Sequence, residues 1–163
     1  MATDVYLEIE GIKGESSDLR HEGWIECRSA HWGAFQPKSA SGTANVGDTA
    51  ERGELSDITI TKLSDVATPL LLQTCMMGRI VRKAKLEFHR ADGQGTPVKY
   101  FEIELENVVI GQVTPSISEG ELLTETVSLK FSKVKWKYTQ QKILGGACGY
   151  TNGGWNLSTN RCV

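Results

Sequence analysis

The chain has 163 residues, 39% hydrophobic and 23% charged, which suits one soluble domain with a full-sized core. Its 18 basic and 20 acidic residues leave a formal net charge of −2 and no Lys/Arg cluster, so nothing draws it toward nucleic acid. No stretch approaches the roughly 18 apolar residues of a membrane helix, which argues against membrane insertion.

The start, Met1 to Glu8, lacks the basic residues and apolar run of a signal peptide. The expectation is a protein made and folded in the cytoplasm, with any secretion bypassing the usual signal route. Val5, Leu7 and Ile9 alternate with Tyr6, Glu8 and Glu10, predicting a half-buried strand that stops at Gly11. Trp24 to Ser29 reads as a second strand. Residues 33–55, rich in Gly, Ser, Ala and Thr, read as a long loop of the kind that is either functional or disordered. A strand over 56–62 leads into the one clear helix, with Thr68 as cap, Pro69 in the first helical position and Gly78 as the left-handed close. Leu71, Leu72, Cys75 and Met76 form its apolar stripe, read as core packing. A helix of about ten residues is marginal alone, so it must dock on a sheet or plug a barrel end.

Leu86 and Phe88 then alternate with Lys85, Glu87 and His89, and Asp92-Gly93 marks a turn into a strand from Val98. Two later strands switch faces. Phe101, Ile103 and Leu105 oppose Glu102, Glu104 and Glu106, but beyond Asn107 the run Val108-Val109-Ile110 is apolar on both sides. Val127, Leu129 and Phe131 share one parity, whereas Val134, Trp136 and Tyr138 take the other, opposed by Lys133, Lys135 and Lys137. Parity is fixed along a regular strand, so each jump demands a bulge or bend, the device by which strands pass between packed layers. Trp155 to Ser158 reads as a short last strand. With no repeat and no linker, residues 1–163 read as a single mainly β domain, a two-sheet β-barrel or sandwich with one short α-helix.

The residues that carry chemistry are sparse. His21, His31 and His89 are the only histidines and none stands at metal-ligand spacing with another; Cys27, Cys75, Cys148 and Cys162 fit no zinc pattern. Reduced thiols are expected in the cytosol, with pairing of Cys148 and Cys162 after export as an option. Cys27 and His31 lie four apart, which on a strand separates them by more than about 10 Å, so Cys27 reads as an ordinary buried cysteine. There is no Gly-x-Ser-x-Gly, P-loop or dinucleotide fingerprint, so no catalytic residue, cofactor or metal is expected. The row Glu102, Glu104, Glu106 admits a small hydrolase reading. A charged row facing solvent or a partner fits better, with Lys133, Lys135 and Lys137 as its opposite. Trp24, Trp32 and Trp155 admit a sugar-binding module but fit core packing better.

Several segments are familiar in order and spacing. They include Tyr6-Leu7-Glu8-Ile9-Glu10-Gly11 with Gly14-Glu15-Ser16, Trp32-Gly33 before Gln36-Pro37-Lys38-Ser39, Ala50-Glu51-Arg52, Ser56-Asp57 before Thr61-Lys62, and Ala67-Thr68-Pro69-Leu70-Leu71. Later come Val113-Thr114-Pro115, Leu123-Thr124-Glu125, Val134 to Thr139 and Gly154-Trp155-Asn156-Leu157. In these the chain resembles the haemolysin-coregulated protein (Hcp) family, the tube subunit of bacterial type VI secretion systems. The tail, Gly145 to Gly153 and Arg161-Cys162-Val163, departs from the family pattern. The resemblance implies a β-barrel of two sheets with one short helix, in a homo-hexamer whose rings stack into a tube. That tube lies inside contractile sheath proteins and behind a spike protein, and is expelled with the spike into the medium or a target cell. It implies small effector proteins carried in the ring lumen, and no catalytic residues. An accessory secreted paralogue acting mainly as effector carrier is the alternative.

On this reading the 33–55 loop is an assembly arm. Gln36, Pro37, Lys38, Ser39, Glu51, Arg52 and Glu54 are the candidate ring and stacking contacts. The rows Glu102, Glu104, Glu106 and Lys133, Lys135, Lys137 are second candidates.

Overall fold

The structure, a computed structural model, describes residues 3–37, 52–142 and 147–163. The elements run β1 (Thr3–Ile9), β2 (Ile25–Cys27), β3 (Ser29–His31), β4 (Ala34–Phe35), β5 (Glu54–Leu55) and β6 (Ile58–Leu63), then helix α1 (Thr68–Met77). After it come β7 (Ile80–Ala91), β8 (Pro97–Ser116), β9 (Thr124–Lys130), β10 (Lys133–Gln141), β11 (Ala147–Asn156) and β12 (Arg161–Cys162). All strand pairings are antiparallel.

Two layers share bent strands. One has the order β12-β11-β10-β8-β7-β1-β2; the other continues from β8 through β9 and β6 to β3. β8 belongs to both: residues 101–106 pair with β10, and residues 109–116 with β9. The changeover falls at Asn107, whose φ of 53° lies in the left-handed region that Asn tolerates better than most residues. Its Nδ2 donates to Ser132 Oγ at 3.0 Å, and Ser132 N–H donates to Glu106 O at 3.1 Å. Ser132 lies between β9 and β10, so neighbouring strands bend at matching points. Both parity jumps have this cause, and Ile103, Leu105, Val108, Ile110, Val127, Leu129 and Val134 are all buried in one core.

The expected strand over 24–29 is split. Arg28 breaks it, donating N–H to Thr61 O at 2.7 Å, and the chain passes from β2, paired with β1, to β3, paired with β6. β2 and β3 are consecutive in the chain, so this segment joins the two layers along one margin as β8 does along the other.

α1 packs against β8, and Gly78 closes it with φ 61° as expected. Its start differs. Ala67 is the cap residue and makes no side-chain cap bond; Thr68 is already helical and Pro69 follows it in the first turn. The capping work falls to Asp65, whose Oδ1 accepts the Ala67 N–H at 2.9 Å, while Thr68 Oγ1 accepts the Asp65 N–H at 3.0 Å. The stripe also differs. Thr68, Leu71 and Thr74 are buried and Cys75 is half-buried, whereas Leu72 is 38% and Met76 87% exposed. The buried face thus runs one position earlier than the Leu/Met pattern implied, leaving large apolar side chains uncovered.

The helix start is pinned by a buried ion pair. Lys62 and Glu125, directly opposite on β6 and β9, are inside the protein on the parity of Ile58, Ile60, Val127 and Leu129. Lys62 Nζ meets Glu125 Oε1 at 2.6 Å, Asp65 Oδ1 at 2.8 Å and Leu63 O at 2.9 Å. Thr68 Oγ1 and Ser64 Oγ each donate to Glu125 at 3.0 Å. Every ammonium proton has an acceptor, the condition under which a charge tolerates burial.

At the C-terminal end, Trp155 and Asn156 are the close of the ten-residue β11 rather than a separate short strand, and β12 folds back with Cys162 opposite Trp155. Cys148 lies seven residues back along β11, about 23 Å at strand rise. Bridged cysteines need Cα atoms within about 7 Å, so the suggested Cys148–Cys162 pairing within one chain does not occur.

Candidate functional site: a charged sheet face and the loop that covers it

The face of β8 opposite the core carries Glu102, Glu104 and Glu106. On one side they register with Lys137, Lys135 and Lys133 of β10; on the other, Glu104 and Glu106 register with Lys85 and Lys83 of β7. The two charged rows thus meet within one sheet, as opposite-charge cross-strand pairs that favour register. Lys133 reaches Glu106 at 3.6 Å, and Lys137 Nζ sits 4.4 Å from the Tyr150 ring centroid. Glu104, Lys135 and Lys137 are exposed, Glu106 and Lys133 half-buried, but Glu102 is buried, so the row is not uniformly solvent- or partner-facing.

Glu102 is buried among side chains that a bulge and the neighbouring strand bring onto its face. Between Phe88 and His89 the β7–β8 register shifts, and Tyr100 is the extra residue. The shift turns Lys99 onto the face of Glu102, where their side chains form a short ion pair. Lys85 reaches Glu102 at 3.3 Å and Glu87 at 3.4 Å; Lys99 also reaches Glu87 at 3.4 Å. The 13–24 loop closes down because Gly14 has no side chain: a Cβ there would lie 2.5 Å from Trp24 O. Its N–H donates to Gly23 O at 2.8 Å, tying the loop ends together.

The loop delivers His21 into this polar layer. His21 Nδ1 lies 2.7 Å from Asp18 Oδ1 and Nε2 lies 2.6 Å from Glu87 Oε2, with His89 Nε2 3.1 Å from that same oxygen. The His21 ring stacks on Tyr6 with centroids 4.2 Å apart and meets Trp24 edge-on at 4.8 Å. Burial works against the Glu87 carboxylate. Hydrogen bonds from His89 and His21, with the charges of Lys99 and Lys85, nevertheless hold its pKa far below the usual carboxylate range. The bond from His21 likewise lowers Asp18. Glu87 and His89 share parity on β7, which the alternation of residues 85–89 shows. His21 arrives from a loop without periodicity and has no such signal.

Beside this cluster lies a groove of about 930 Å³ lined by side chains of both signs, among them Glu10, Lys13, Glu22, Arg82, Lys83 and Glu104. At the arm, Gln36 and Glu54 are exposed and Pro37 half-buried, while Lys38, Ser39 and Glu51 lie outside the described residues. The arm base is a two-stranded ribbon, β4 against β5, with Phe35 opposite Glu54. Arg52 Nη2 donates to Leu157 O at 2.9 Å, so the arm is anchored on the tail of its own chain. Cys27 is half-buried, and burial pushes its thiol up to about 12, the state of an inert core cysteine. Trp32 packs on Phe88 and Phe101 at 5.3 and 5.5 Å rather than forming an open sugar platform.

Residues 6–138 match the family model described as "Type VI secretion system effector, Hcp". Protein hcp1 of Pseudomonas aeruginosa is 35% identical over 162 residues, covering 98% of each chain. A solved structure titled as a type six secretion system protein superposes with a TM-score of 0.92 at 27% identity, covering 99% of this chain and 100% of that one. The crystal structure of Hcp1 from Salmonella typhimurium superposes with a TM-score of 0.82 at 28% identity over 100% of both. With two-layered β architecture, one short helix and this match along its length, the chain belongs to the Hcp family of type VI secretion, secreted structural proteins rather than enzymes.

Proposed function

We propose that this chain, as one domain over residues 1–163, is the subunit of a type VI secretion inner tube. Six copies close into a ring and rings stack inside a contractile sheath. The tube leaves with the spike, and small effectors ride in the lumen. Family membership supports the class of protein. The observation in this chain that carries assembly is the apolar surface left open: Leu72, Met76, Met77 and Ile80 around the end of α1, with Ile117 and Leu122 in the β8–β9 turn, are all at least 38% exposed. Exposed apolar side chains gathered near one helix end favour a contact site there, and a head-to-tail contact that closes gives a ring. The 33–55 arm and the charged rows are proposed as further contacts.

Light scattering of the purified chain, with electron microscopy of the same peak, tests this. A mass of six subunits with open-centred rings is expected. A monomer at every concentration, and with sheath and spike supplied, would overturn the tube reading.

A further inference from the structure

Two imidazole nitrogens and one carboxylate oxygen come together between the 13–24 loop and β7. The ligand-capable atoms of His21, Glu87 and His89 lie within 4.8 Å of one another, and the three residues are 3%, 8% and 4% exposed. We propose that His21, Glu87 and His89 form a binding site for a divalent transition-metal ion of the zinc class, with Asp18 orienting His21.

The donor set is the first reason. Two imidazoles with one carboxylate is a combination zinc takes, and imidazole donors disfavour calcium and magnesium. Geometry is the second. Ligands about 2.0–2.1 Å from a tetrahedral metal stand roughly 3.3 Å apart. His21 Nε2 and His89 Nε2 already lie 2.6 and 3.1 Å from Glu87 Oε2, so small rotations open the site. The third is the other edge of His21: its Nδ1 lies 2.7 Å from Asp18 Oδ1, so with a metal on Nε2 the Nδ1 proton is placed to be donated to Asp18.

That Asp18 contact is the carboxylate–histidine arrangement that fixes the tautomer and ring orientation of metal-bound histidines. Asp18 is itself held: its Oδ1 accepts the Arg20 N–H at 3.0 Å and its carbonyl accepts the His21 N–H at 3.0 Å. Lys85 and Lys99 occupy the other Glu87 oxygen, Oε1, and both are also paired with Glu102, so Oε2 stays available. With all three ligands shut from solvent, the metal acts as a staple between the loop and the sheet. None of its ligands is among the assembly contacts proposed above.

The test is metal titration of the full chain after chelator treatment, in a Cys148→Ser/Cys162→Ser background that removes the exposed thiols. Calorimetry is expected to show one equivalent of Zn²⁺ per chain. Co²⁺ should give visible absorption bands that saturate at one equivalent, and zinc should raise the melting temperature. His89→Gln, which keeps a hydrogen-bonding side chain, should abolish stoichiometric binding and the melting shift. Asp18→Asn should weaken affinity about 10–100-fold. Circular dichroism establishes folding of each variant, and His21→Gln replaces His89→Gln if the latter unfolds. No stoichiometric binding by the folded background protein, or undiminished binding by a folded ligand variant, would overturn the site.

Discussion

Cys27 and Gly14 show how single positions are decided by surroundings that local sequence does not carry. With its thiol pushed up to about 12, Cys27 is almost wholly un-ionised near neutrality. The thiolate is the reactive form, so raising the thiol this far slows its chemistry at mildly alkaline pH. Native protein treated with a maleimide at pH 8 should therefore be labelled at the exposed Cys148 and Cys162 and spared at Cys27. Peptide mapping reads the sites, and early labelling of Cys27 would contradict its burial. At Gly14 the constraint is backbone: a Cβ would lie 2.5 Å from Trp24 O and 2.7 Å from Ile25 Cα, neither of which can swing aside. Gly14→Ala should cost about 1–3 kcal/mol, the usual penalty of forced backbone shifts. The denaturation midpoint measures it.

At the scale of elements, what the sequence made legible was parity, and what it hid was partnership. Alternation places β1, β6, β7, β8, β9 and β10, and the two parity jumps call for bends beyond Asn107 and between Phe131 and Val134. It could not say that Lys62, on the parity of Ile58 and Ile60, is buried, because its partner Glu125 is 63 positions away. The same distance effect hid the His21–Glu87–His89 cluster. α1 is legible in place and extent, while its buried face is not, because four apolar residues at helical spacing look alike whether they meet β8 or open surface. Lys62 and Glu125 make a direct prediction about docking of α1. Lys62→Met alone should destabilise by about 3–5 kcal/mol, since it strands a buried carboxylate, whereas Lys62→Met with Glu125→Leu should recover most of that loss. A double-mutant cycle by chemical denaturation reads the coupling. Additive losses would show that the ion pair does not hold the helix start.

For the whole molecule, the question is which exposed groups serve the single chain and which await another copy. Arg52 is bonded to Leu157 of its own chain, so Arg52→Ala should loosen the arm, weakening ring stacking while leaving the fold intact. Unchanged tube formation by electron microscopy would count against the arm. The helix face gives a sharper division. Leu71 and Met76 lie five residues apart on α1, but Leu71 is 0% and Met76 87% exposed. In an isolated chain Met76 touches little, so Met76→Asp should change stability by no more than about 0.5 kcal/mol, as surface substitutions do. Leu71→Asp, which places a charge in the core, should prevent folding. If α1 presents a ring contact, Met76→Asp should nonetheless convert a six-subunit mass into a monomer in light scattering, because an assembled interface would bury the new carboxylate without a partner. Rings that persist with Met76→Asp would move the subunit contact away from the helix, to the β8–β9 turn or the charged sheet face.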